Sequence, residues 1–219
     1  MELHGATINF LGDSITEGVG ASCVEKRYTD VFARLYGAKV NNYGISGSRF
    51  ARQRVQTGER HDQDFCMRLH EMDESADAVV VFGCTNDFGH GDVPLGTFED
   101  RDPFTFYGAC HYLMSELVAR YCGKPILFVT PLHRLAEDCP EGDGTGRKLE
   151  VRALLSQYRA ILLEVAQYYG LPVLDLYATS GMQPRHPIAR ERLMPDGLHP
   201  SDEGHAIIAR RIGEFLKTL

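Results

Sequence analysis

The chain has 219 residues, 43% hydrophobic and 24% charged, which suits one α/β domain with a sizeable core and excludes a disordered chain, a collagen-like fibre or a disulfide scaffold. Lysine and arginine number 23 against 30 aspartate and glutamate, a net charge of −7, so nucleic acid is disfavoured as a partner. No apolar run reaches the roughly 18 residues of a membrane span, and the start lacks the basic and apolar stretches of a secretory signal, which makes the cytoplasm the expected location.

Residues 6–11 (ATINFL) form a short apolar run ending at Gly12 and predict a buried strand. A helix is predicted over 28–36, stopped by Gly37, and a second strand over 38–43. After a polar stretch comes a helix near 62–72. Residues 76–82 (ADAVVVF), rich in β-branched side chains, are the clearest buried strand. Over 104–122, Cys110, Leu113, Leu117 and Tyr121 fall on one helical face. A strand follows over 126–129, a helix over 148–169 and a fifth strand over 173–176. The stretch 202–219 predicts an amphipathic helix with Ile208, Ile212, Phe215 and Leu219 on one side. Strands alternating with helices imply a parallel sheet covered on both faces. The expected fold is a three-layer α/β/α sandwich, flavodoxin-like, with about five parallel strands, in a single domain over 1–219. Segments 88–103 and 132–146 read as longer loops that shape a site.

The six cysteines, Cys23, Cys66, Cys84, Cys110, Cys122 and Cys139, include no C-x-x-C pair. That spacing argues against a zinc ribbon or a dithiol motif, and the thiols are expected to be reduced, several of them in the core.

In a sheet of this kind ligands bind beyond the carboxyl ends of the strands. Gly12-Asp13-Ser14 follows the first strand, Gly44-Ile45-Ser46-Gly47 the second, and Gly83-Cys84-Thr85-Asn86-Asp87 the third; Asp196-Gly197-Leu198-His199 precedes the last helix. Together they form a serine-hydrolase kit. Ser14 is the candidate nucleophile and His199 its base. Asp196, three residues earlier, can orient the imidazole from the same turn. The Ser14 and Gly47 backbone N–H groups and the Asn86 amide are candidate oxyanion donors. The G-x-S-x-G elbow of α/β-hydrolases is absent, since Thr16 stands where its second glycine belongs.

These blocks, in order from residue 12 to 199, resemble those of the SGNH, or GDSL-type, hydrolase superfamily of esterases and lipases. The resemblance implies the same roles for Ser14, Asp196, His199, Gly47 and Asn86, a small-molecule ester as substrate, and no metal or organic cofactor. One departure is visible: the family often has glycine two positions before the asparagine, where this chain has Cys84. Either Cys84 adopts a backbone suited to glycine or the loop shifts, and a thiol is expected near the oxyanion hole.

Each residue also has a plainer reading. Ser14 fits a helix N-cap, Gly47 and Asn86 fit turns or caps, and Asp196–His199 fits a turn beside a surface histidine. Asp13 reads as hydrogen-bonded support for the Ser14 loop, and Arg185, Arg190 and Arg192 as surface charge. The four blocks together favour a serine esterase acting on a small-acyl or carbohydrate-acetyl ester. An acyl-CoA thioesterase or lysophospholipase would use the same machinery. A flavodoxin-like phosphate or flavin binder built on residues 14–18 is the alternative from another class, and it gives Asn86, Asp196 and His199 no task.

Overall fold

The computed structural model describes residues 1–144, 148 and 153–219. Five parallel strands, β1 (Thr7–Gly12), β2 (Lys39–Gly44), β3 (Ala78–Phe82), β4 (Ile126–Val129) and β5 (Val173–Leu174), form one sheet in the order β2-β1-β3-β4-β5. The helices, in chain order, are α1 (Ser14–Glu17), α2 (Tyr28–Tyr36), α3 (Phe65–Arg68), α4 (Thr85–His90), α5 (Phe106–Arg120), α6 (Leu155–Tyr168), α7 (Leu176–Thr179), α8 (Pro187–Leu193) and α9 (Asp202–Leu216). The expected α/β sandwich is the observed one. The strand order reverses between β1 and β3, which opens a crevice at their carboxyl ends. Gly12 lies opposite both Gly44 and Phe82, so the ends of β2, β1 and β3 are flush there.

Side-chain alternation divides the sheet between two cores. Ile8 and Phe10 of β1, with Val80 and Phe82 of β3, face Val31 and Phe32 of α2 and Ile208 and Ile212 of α9. Leu11, Val79, Val81 and Phe128 face Leu113 and Leu117 of α5 and Leu162 and Val165 of α6. Asn9, a polar residue inside a core strand, is satisfied on both sides. Its Nδ2 donates to the Asp73 carbonyl at 2.8 Å and to the Tyr121 hydroxyl at 3.0 Å, and its Oδ1 accepts from Asn41 at 2.9 Å.

Several expected elements change form. The helix near 62–72 is instead a 3-10 turn (Arg60–Asp62), the short α3 and a second 3-10 turn (Leu69–Glu71), because the chain restarts at Asp64, whose side chain caps Met67 N–H. The fifth strand stops at Leu174, since Asp175 caps Ala178 N–H and opens α7. Helix α8 was not expected; it starts on Pro187 and buries no residue, so it carries no apolar stripe. Leu219 lies exposed beyond the end of α9. Part of the predicted 148–169 helix falls outside the described residues, and α6 accounts for the rest. The cysteines are free thiols, with Cys66, Cys84 and Cys110 buried. Among the described residues no helix is long and apolar enough to cross a membrane.

One glycine fixes how the first helix meets the sheet. A Cβ on Gly44 would fall 2.2 Å from the Glu17 nitrogen and 2.6 Å from its Cα, both backbone atoms of α1. Gly44→Ala therefore overpacks the joint and is expected to cost about 1–3 kcal/mol. Urea unfolding checks this, and an unchanged midpoint would show that α1 gives way freely.

Candidate active site

Ser14 follows β1 after a single residue and occupies the first position of α1. The cap is Asp13, not Ser14: its Oδ1 accepts from Ile15 N–H at 2.9 Å. Gly18 ends the helix with φ 111°. Ser14 thus stands at a strand-to-helix corner, with an N–H that has no intrahelical acceptor.

His199 arrives on the segment before α9. Asp196 Oδ1 accepts from the N–H groups of Leu198 and His199 at 2.8 and 2.7 Å, which folds 196–199 into a tight turn. His199 Nδ1 lies 2.7 Å from Asp196 Oδ2, and His199 Nε2 lies 3.0 Å from Ser14 Oγ. Hydroxyl, imidazole and carboxylate therefore stand in one line, able to pass a proton from oxygen to ring. Burial pushes the Asp196 carboxyl up, but the His199 and Leu198 hydrogen bonds outweigh it and hold the group below its ordinary value. The two halves of this line are 185 residues apart and are stitched beside the site. Ser22 donates through N–H and Oγ to the Asp202 carboxylate at 2.8 and 2.7 Å. His205, by contrast, cannot serve as a base here: its Nδ1 accepts from Tyr28 N–H, and burial pushes its pKa down to about 4.

Gly47 has φ 77°, and its N–H has no hydrogen-bond partner among the described residues. Asn86 stands at the start of α4. Its Nδ2 donates one hydrogen to the Ser48 carbonyl at 3.0 Å, which places the amide beside the Gly47 loop and leaves the second hydrogen for another acceptor. Cys84 takes the glycine-like backbone that its position requires. With φ 80° it is the only left-handed non-glycine among the described residues, a strain of about 1–2 kcal/mol. Its side chain packs in the core, and burial pushes the thiol well above its usual pKa, so it presents no reactive thiolate to the site.

Beneath these groups lie residues that the sequence did not single out. Arg68, almost fully buried, donates to the Gly12 carbonyl at 3.1 Å, the Ser48 hydroxyl at 2.7 Å, the Gln63 carbonyl at 2.9 Å and the Tyr43 carbonyl. Asp87 accepts from Phe50 and Ala51 N–H, both at 3.0 Å. Glu17 accepts from Ser46 N–H at 2.7 Å and from Arg60 at 3.0 Å. His90 Nε2 lies 3.2 Å from the Gly47 carbonyl, and its Nδ1 lies 2.9 Å from Asp143 Oδ2. Burial and Arg49 hold the His90 pKa down against the pull of Asp143. Arg134 is buried with its guanidinium on the Thr85 carbonyl at 3.1 Å. It shares a cavity of about 220 Å³ with Asp143, Asp196 and Leu198, between the segment after β4 and the His199 turn. Their one sequence signal was position: Glu17, Asp87 and His90 all lie within a few residues of a block. Arg185 pairs with Asp138 and Arg192 with Glu203, both on the surface. Among the described residues no three His, Cys, Asp or Glu side chains gather as a metal site.

The model of the GDSL-like lipase/acylhydrolase family matches residues 10–207. The chain belongs to that family. It is accordingly a hydrolase of ester bonds, and a triad with an oxyanion hole is typical of such proteins. One solved structure is 35% identical, with a TM-score of 0.85, covering 100% of this chain and 99% of that one. A protein from Lactobacillus plantarum is 31% identical with a TM-score of 0.82, covering 99% and 98%. A carbohydrate acetylesterase family member from Sinorhizobium meliloti shares the fold at 18% identity and a TM-score of 0.64, covering 97% and 98%. No curated protein matches the chain in sequence.

In this GDSL-like hydrolase the residue before the serine is a buried carboxyl. Burial raises the Asp13 carboxyl to about 7, against the Ile15 N–H and Arg68, and its Oδ2 has no hydrogen-bond partner among the described residues. A folded pKa above the unfolded one adds stability below the unfolded value and forfeits it as pH rises through the folded value. Wild type should therefore lose stability relative to Asp13→Asn between about pH 4 and about pH 7. Urea unfolding of both proteins across that window measures it; a difference that does not change with pH would mean that Asp13 is ionised throughout.

Proposed function

We propose that the protein is a serine esterase for small-acyl esters of polar alcohols, carbohydrate acetates first among them. The observation that carries the reading is the continuous line from Ser14 Oγ through His199 to Asp196, at 3.0 and 2.7 Å, beside a Gly47 N–H with no partner among the described residues. Ser14 Oγ attacks the ester carbonyl while His199 Nε2 takes its proton. Asp196 fixes the ring so that Nε2 faces the serine and stabilises the imidazolium that forms. The negative oxygen of the tetrahedral intermediate is met by the N–H groups of Ser14 and Gly47 and by Asn86 Nδ2. His199 returns the proton to the departing alcohol. Water, activated by the same ring, then releases the acid from Ser14. Every step uses groups of this chain, carried on one domain over 1–219, and calls for no metal or organic cofactor.

Two features support a polar leaving group and a short acyl chain. The cavity next to Asp196 is bordered by Arg134, Asp143 and Asp196 as well as by Leu135, Ala136 and Leu198, and a hydrocarbon chain filling it would desolvate the three charged groups without compensation. Hydroxyl groups can hydrogen-bond to the same side chains. The Sinorhizobium meliloti neighbour named as a carbohydrate acetylesterase family member has the same fold.

Turnover of p-nitrophenyl acetate, butyrate and octanoate, with an acetylated sugar alongside, tests the reading. Ser14→Ala should abolish turnover without unfolding the protein, and rates should fall from acetate to octanoate. Asn86→Ala should lower kcat by about 10²–10³, the scale for one lost oxyanion donor. Equal activity in wild type and Ser14→Ala would remove Ser14 from the reaction, and a preference for octanoate would overturn the acyl assignment.

A further inference from the structure

We propose that His90 is a positioning residue that aims the Gly47 N–H at the oxyanion by holding the Gly47 carbonyl, while Asp143 holds the His90 ring in turn. The inference rests on reading Gly47 as an oxyanion donor. That donor belongs to the peptide between Ser46 and Gly47, and the peptides on either side are both pinned. On one side Ser46 N–H donates to Glu17 Oε2 at 2.7 Å; on the other the Gly47–Ser48 peptide is held at both ends, by Ser48 N–H on the Ile45 carbonyl at 3.2 Å and by the Gly47 carbonyl facing His90 Nε2 at 3.2 Å. Peptide planes are stiff, so fixing both neighbours leaves the one between them little freedom to turn. The φ of 77° at Gly47 makes the outcome sensitive, because a glycine left unpinned ranges widely over its dihedral angles.

The other side of the ring is equally engaged. Asp143 Oδ2 lies 2.9 Å from His90 Nδ1, and Asp143 N–H donates to the Gly89 carbonyl at 2.8 Å, so side chain and backbone of Asp143 both grip the end of α4. Both ring nitrogens face acceptors, and the neutral ring that burial and Arg49 favour has one proton to give; it stands on Nε2 whenever the Gly47 carbonyl is held. Asp143 also borders the cavity beside Asp196. The carboxylate that steadies the ring therefore also lines the space offered to the leaving group, which ties occupancy of that cavity to the aim of the Gly47 donor.

The test is the rate at which a p-nitrophenyl alkylphosphonate modifies Ser14. The Ser14 Oγ–phosphorus bond forms, the phosphorus–oxygen bond to p-nitrophenolate breaks, and the serine proton passes to His199. The phosphoryl oxygen then occupies the oxyanion position. Released p-nitrophenolate and intact mass follow the reaction, and thermal melts establish that each variant is folded. His90→Ala should slow the maximal rate by roughly 10–100-fold, the scale for a misaimed group, with half-saturation unchanged within about threefold. His90→Gln keeps a donor near the place of Nε2 and should recover the rate to within about threefold of wild type. His90→Asn keeps a donor near the place of Nδ1, can serve only Asp143 and should stay slow. A merely structural anchor for the Asp143 segment would reverse that order. His90→Asn at or above His90→Gln, or folded His90→Ala within threefold of wild type, overturns the proposal. Should His90→Ala fail to fold, the Gln–Asn comparison decides alone. No modification of wild type, or modification of Ser14→Ala at the wild-type rate, overturns the Ser14 reading and this inference with it.

Discussion

The buried Arg68 guanidinium underlies the carboxyl edge of the sheet. The Arg68 guanidinium reaches the carbonyl ends of β1 and β2, the hydroxyl next to Gly47 and the approach to its own helix. Removing such a group from water is costly unless its donors are met, and the surrounding carbonyls meet them. Burial pushes its pKa down to about 10, with Asp13 opposing. The dependence runs both ways. The strand ends need a donor because they terminate inside the protein, and Asp13 needs a nearby positive charge because it is sealed under the serine. Moving one of these groups exposes a defect in the others.

The same economy explains how a stretch poor in regular structure can be well fixed. Between β2 and α3 the backbone has no ladder to join, and its N–H groups find acceptors elsewhere. Carboxylates provide them in pairs: Asp87 for Phe50 and Ala51, Asp92 for Arg54 and Val55, and Asp62 for Thr57 and Gly58. Part of the chain's acidic excess is thus internal scaffolding rather than surface charge. Its cost is visible in Asp87, which burial raises to about 6 despite two backbone hydrogen bonds.

The sheet and the four blocks were legible because they follow simple rules. Val79, Val80 and Val81 are buried on both faces of a parallel sheet and read as a continuous apolar run, and Ser14, Gly47, Asn86 and the Asp196–His199 pair each follow or precede a recognisable element. What escaped detection was polar and long-range. Arg68 lies 56 residues from the carbonyl it holds at Gly12, and no local pattern announces such a contact. Asp87 and His90 resembled ordinary loop residues because their partners come from other loops. Helix α8 escaped because none of its residues is fully buried, and the helix expected near 62–72 breaks up because Asp64 caps a new start inside it. At Cys84 the reverse occurred: the sequence pointed to strain, and the backbone carries it.

The 185-residue separation between Ser14 and His199 also bears on how the protein is made. A nascent chain that has emerged only as far as β5 already contains Ser14, Gly47 and Asn86, but on the proposed reading it lacks both the base and the group that orients it. Those arrive with the segment leading into α9, and α9 must dock on α2 before the turn meets the serine. The same helix also closes one face of the sheet, since Ile208 and Ile212 pack in the core with Ile8, Phe10, Val80 and Phe82. On the proposed reading, the last segment made therefore completes both the core and the chemistry.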